Sequence, residues 1–243
     1  VISSADLRHR ARSPLLDLVR LTPVMRRGAG AGPVSVEVVA SAEDTPFLAA
    51  VTGFSALSIC PLSPVVTRSV AQGCGPAELA GVLDVAGSAR VLLVSVPLVD
   101  GTTRENRVLH EVLDEAAVRG VPVVAAAGAA SSVLTRHPWV LPVLSCTASG
   151  RVSWFVDLDP DVEPRGLLAP GEDVPGPHGA ATGNGIAAAV VAGAAALLWS
   201  LFPKACGGQV RSALLIGATH PRRFGPPLLD AERAHEFLSR HAG

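Results

Sequence analysis

Apolar residues along this chain fall into two alternating patterns. Near-continuous runs of Val, Leu and Ala at 34–40, 56–61, 90–96, 121–127 and 140–146 predict buried strands. Between them, 45–53, 77–86 and 103–119 have helical spacing, the last with Val108, Leu109, Val112, Leu113 and Ala116 on one face. Helices at 186–202, 208–217 and 230–241 complete the set. This alternation predicts an α/β fold, a mostly parallel sheet between two layers of helices with right-handed crossovers. The helix at 186–202 is apolar nearly all round, yet it is short for a bilayer and broken by Gly193 and Ser200. It reads as a core helix, not a membrane span.

Residues 1–32 break the pattern. Arg8, Arg10, Arg12, Arg20, Arg26 and Arg27 flank a short helical stretch at 14–21, and glycines at 28–32 follow. This predicts an N-terminal basic extension, with a solvated helix, ahead of a single domain at 33–243. With 243 residues, 49% of them hydrophobic, the chain is long enough for one large core. A net charge of −1 excludes the basic footprint of a nucleic-acid binder. Lys204 is the single lysine among many arginines, a bias of GC-rich coding, and tyrosine is missing as a catalytic acid.

Cys60, Cys74, Cys146 and Cys206 are scattered and form no C-x-x-C pair, so no zinc site is expected. They allow two disulfides or four thiols of a reducing compartment. The chain opens without the basic start and apolar run of a secretory leader, and a cytoplasmic setting is the expectation.

Residues 183–193 read Gly-Asn-Gly-Ile-Ala-Ala-Ala-Val-Val-Ala-Gly and run into the apolar helix. This segment resembles the serine motif of subtilisin-like peptidases, G-T-S-M-A-S-P-H-V-A-G. Other segments follow the family in order. Ser95-Val96-Pro97 stands for the substrate-binding S-L-G, and 120–130 resembles G-V-x-V-V-A-A-A-G-N-E. The strand at 138–145, the turn Ala169-Pro170-Gly171, the Q-V-R helix at 209–215 and the closing segment 225–234 also match. The resemblance implies a three-layer subtilisin-like fold.

It also implies a degenerate site. Gly185 takes the place of the nucleophilic serine, and Ala129 that of the oxyanion asparagine. The segment 43–49 loosely resembles H-G-T-H-V-A-G, which puts Glu43 in place of the histidine. The aspartate position falls on Val38 or Ala40. Triad hydrolysis needs nucleophile, imidazole, carboxylate and oxyanion donors together. The expectation is therefore a catalytically inactive pseudoprotease serving as a peptide- or protein-binding or scaffolding subunit, with an active enzyme as one candidate partner. Ser95, Val96 and Pro97 are the expected peptide-binding edge, weakened by the missing N–H of Pro97.

Two alternatives stand beside it. One is a divergent enzyme, hydrolytic or peptide-modifying, using non-triad residues such as Glu43 or His178 in the remnant cleft. The other is a purely structural domain. Ser95 and Thr182 are available hydroxyls with no evident base beside them in sequence. No cofactor is expected: 183–188 fits G-x-G-x-x-A, but no strand precedes it and no acid follows at the needed distance. No metal is expected either. Asp157, Asp159, Asp161 and Glu163 form an acidic run, but Val162 and Leu168 stand where a calcium loop needs glycine and glutamate.

Overall fold

A computed structural model describes residues 13–30, 32–54, 59–85, 89–128, 132–176, 179–220 and 225–242. Six parallel strands form the central sheet: β1 (Val36–Ser41), β2 (Val65–Val70), β3 (Val91–Ser95), β4 (Val123–Ala126), β5 (Val140–Cys146) and β6 (Leu167–Pro170). Their spatial order is β2-β1-β3-β4-β5-β6. Every residue of β1 and β5 is buried, as expected of inner strands covered on both faces. A short antiparallel hairpin, β7 (Val174–Gly176) and β8 (Gly179–Ala181), leads into the helix that follows.

On one face lie α4 (Pro76–Val85), α5 (Thr103–Val118) and the single turn α6 (Val133–Arg136). Leu79, Leu83, Leu109, Leu113 and Leu134 pack there against Val94 and Val123. The start of α5 is fixed by a capping box, in which the Thr102 hydroxyl accepts the Glu105 N–H and Glu105 accepts the Thr102 N–H. The helices α1 (Pro14–Leu18), α2 (Leu21–Met25), α7 (Asn184–Leu201), α8 (Gly207–Gly217) and α9 (Ala231–His241) contribute to the core on the other face. A sixth helix on this face, the short α3 (Thr45–Ala49), continues into a π-turn at Ala50–Phe54. The expected three-layer α/β architecture with a mostly parallel sheet is the one observed.

α7 runs through the centre of its layer, buried from Ile186 to Trp199. It is long and apolar enough to cross a membrane, but here it is packed within the protein. Alanines and Gly193 let it lie close to its neighbours: a Cβ at Gly193 would sit 3.0 Å from both Cβ and Cδ1 of Ile59.

Two local expectations are corrected. The strand expected at 56–61 lies partly outside the described residues, and 59–61 is bend and turn. The strand beside β1 is instead β2, an edge strand whose Val66 and Arg68 stay accessible, so it lacks a buried strand's apolar run. The stretch read as a solvated basic helix packs inward through Leu16, Val19, Leu21, Val24 and Met25. Its arginines turn outward onto α9. Arg20 reaches Asp230 at 3.0 Å, and Arg27 grips Glu232 with two bonds of 2.6 and 2.9 Å, holding that carboxyl below its usual range. Arg8, Arg10 and Arg12 lie outside the described residues. All four cysteines are thiols, Cys206 exposed and the others buried.

Candidate active site

Parallel α/β sheets gather their loops at the carboxyl ends of the strands, and a cleft opens there. It has a volume of about 410 Å³ and lies beyond β1, β3 and β4, walled by Asp44, Ser95, Val96, Pro97, Ala127 and Ser132. The start of α7 adjoins this wall, through Asn184 at Ala127 and Gly185 beneath Ser95. Asn184 ties that helix start to the sheet: its Oδ1 accepts the Ser145 N–H at 2.8 Å, and its Nδ2 donates to the Ala127 carbonyl at 2.6 Å. Gly183 donates to the Gly171 carbonyl at 2.8 Å, which anchors the turn from the other side.

Ser95 closes β3, paired in register with Ala40 of β1. Its hydroxyl lies over Gly185. A Cβ built on Gly185 would collide with Ser95 Oγ and come within 3.4 Å of Ser95 Cβ. The space that a residue-185 side chain would fill therefore already holds a hydroxyl, delivered from another strand. First-turn N–H groups of a helix have no intrahelical acceptor and carry its positive end. That polarity is the one a developing oxyanion needs.

Asp44 is the one titratable side chain among the described residues lining the cleft. The turn after β1 holds it. Ser41 Oγ donates to Asp44 Oδ2 at 2.8 Å and accepts the Asp44 N–H at 3.2 Å, while Thr45 Oγ1 bonds the Ser41 carbonyl at 2.6 Å. Glu43, expected in the histidine's place, instead faces Gln72 at 3.4 Å on the surface. Asp44 is the residue that sequence reasoning passed over. Its signal was present, since an acid before Thr-Pro marks a helix start.

Ala40 and Val38 are buried within β1. Ala129 and His178 lie outside the described residues. Ser95, Val96 and Pro97 do come together on the cleft wall, Val96 turned inward and Pro97 exposed. In the acidic run, Asp161 meets Arg136 at 3.5 Å and its carbonyl takes a bond from Arg165, so arginines tie this loop down. Elsewhere, among the described residues, His110, Asp114 and His137 bring nitrogen and oxygen atoms within 4.8 Å of one another.

No protein-family model matches the chain, and no curated protein matches it in sequence. Solved structures do. The prenylagaramide maturation protease PagA superposes with a TM-score of 0.79 at 21% identity, over 90% of this chain and 98% of that one. The PatG macrocyclase in complex with peptide gives 0.75 at 18%, covering 92% and 97%. The self-cleaved protease domain of PatA gives 0.72 at 21%, covering 87% and 98%. The fold is subtilisin-like. The same comparison corrects the expected assignment as an inactive binding or scaffolding subunit. These three chains, matched over nearly their whole length, are two proteases and a macrocyclase.

Proposed function

We propose that the protein is an enzyme of peptide-bond chemistry that works without the Ser-His-Asp triad, with Ser95 as nucleophile and Asp44 as proton acceptor. The observation that carries this reading is the Ser95 hydroxyl lying in the space above Gly185, at the start of α7. Support also comes from PatG and PatA, the one a macrocyclase bound to peptide and the other a protease cut by itself.

The chemistry runs as acyl transfer. An extended peptide lies along Ser95-Val96-Pro97, and Ser95 Oγ attacks its carbonyl carbon while the hydroxyl proton passes to the Asp44 carboxylate. The oxyanion forms facing the first-turn N–H groups of α7. The C–N bond then breaks, and the departing amine takes the proton from Asp44. Water attacking the Ser95 ester gives hydrolysis, and a peptide amine attacking it gives transfer or cyclisation. A carboxylate is a weaker base than imidazole, so turnover is slow compared with a triad enzyme.

Incubating the chain with a peptide library and reading products by mass spectrometry tests this. Cleaved or joined peptides are expected, with a loss of about 10³-fold or more in Ser95→Ala and about 10²-fold in Asp44→Asn. No product from the wild-type chain, or equal turnover in Ser95→Ala, contradicts the assignment.

A further inference from the structure

His137 follows α6, is 3% exposed, and has both ring nitrogens engaged. Its Nδ1 accepts the Trp139 N–H at 3.2 Å, and its Nε2 faces Asp114 Oδ1 at 3.2 Å. A backbone amide only donates, so Nδ1 keeps its lone pair and the neutral ring carries its proton on Nε2. His110 Nδ1 lies 3.2 Å from the other Asp114 oxygen, and the two imidazoles meet edge to face at 4.4 Å.

These three side chains have the residue types of a metal site, but the Nε2 proton occupies the direction a metal would take. Freeing that nitrogen moves the proton to Nδ1, against the Trp139 N–H. The cluster is built to respond to protons.

A second proton on the ring would put an N–H on Nδ1 facing the N–H of Trp139. The surroundings oppose it further. Arg165 bonds the carbonyls of His137 and Thr135 at 3.1 and 2.9 Å. Arg211, from α8, bonds those of Trp139 and Pro138 at 2.7 and 2.6 Å. Arg136, beside His137, reaches Asp161 at 3.5 Å. Asp114 is the acid that faces the ring, and its carboxyl is held low by the His137 bond. Burial pushes the His137 imidazole below its usual range, more than the Asp114 bond raises it.

The same segment walls the cleft through Ser132 and Leu134, and the His137 N–H bonds the Leu134 carbonyl at 3.2 Å. We propose that residues 132–139 form a proton-operated latch on the cleft wall, closed while His137 is neutral and released when its protonated ring leaves the Trp139 amide.

Once released, the ring regains an ordinary pKa near 6.5, above its closed-state value. The closed segment is therefore fully favoured above about pH 6.5 and is lost as pH falls toward the lower closed-state pKa. From pH 7.5 to 5.5, one such group raises the open-to-closed ratio by up to about tenfold.

Hydrogen exchange tests this, read as protection factors corrected for the intrinsic pH dependence of exchange. In the wild-type chain, amides in 132–141 should lose up to about tenfold protection between pH 7.5 and 5.5, while α7 amides hold theirs. In His137→Gln, whose amide takes both bonds without titrating, the loss should shrink to less than about twofold. His110→Gln, an exposed change, should keep the switch and so separate His137 from its neighbour. An unchanged wild-type segment, a loss spread equally over α7, a His137→Gln variant that tracks the wild type, or loss of the switch in His110→Gln would each overturn the latch.

Discussion

From Ile186 to Trp199, α7 is buried without interruption, and its residues are chosen for volume, alanine and glycine where neighbours come close. At its first turn, Gly183, Asn184 and Gly185 are only half-buried, and their bonding partners are polar: the Gly171 carbonyl, the Ser145 amide and the Ala127 carbonyl, with the Ser95 hydroxyl lying over Gly185. One helix thus follows packing rules along its body and hydrogen-bonding rules at its start. The body makes the core, and the start meets the cleft wall at Ser95 and Ala127. Variants in the two regions should therefore separate stability from activity.

Leu197→Ala should have the largest effect on stability, since it empties a fully buried site and costs about 2–5 kcal/mol. Denaturant unfolding measures this, and turnover per folded molecule should be unchanged. Gly193→Val should cost about 1–3 kcal/mol by pressing on Ile59. Asn184→Ala strands the Ser145 N–H and the Ala127 carbonyl, a loss of about 1–3 kcal/mol. Unlike the first two, it should also reduce turnover at least tenfold by loosening the cleft wall at Ala127. Equal turnover in Asn184→Ala would erase the distinction between the two regions.

Gly185→Ser should have the smallest effect on stability, within about 1 kcal/mol, because Ser95 can swing its hydroxyl aside. The displaced nucleophile should nonetheless lower activity. Placing there the serine of the motif it resembles would thus impair this chain, and a gain in turnover would show that Ser95 has no part in the chemistry.

The same contrast explains what the sequence disclosed. β1, β3, β4 and β5 were legible because inner strands need unbroken apolar runs, and α5 because one face of it must be apolar. The body of α7 was legible for the same reason. β2 was not, since an edge strand keeps polar and apolar residues mixed. Arg20 and Arg27 suggested a solvated arm because their acidic partners on α9 lie far along the chain. At the cleft, the resemblance located Gly185 and the Ser95-Val96-Pro97 wall, but it could not show that Ser95 projects over Gly185. That relation joins the end of one strand to the start of a distant helix and exists only in space. Asp44 was missed by one position, because a loose motif match placed Glu43 where the turn bonded to Ser41 turns Asp44 into the cleft.

The most direct test is to treat the wild-type chain with a fluorophosphonate, which forms a stable ester only with an activated hydroxyl, and to map the adduct by peptide mass spectrometry. The proposal predicts one adduct, on Ser95, that is absent in Ser95→Ala and reduced in Asp44→Asn. Labelling at another serine, or none at all, would contradict Ser95 as the nucleophile of this cleft.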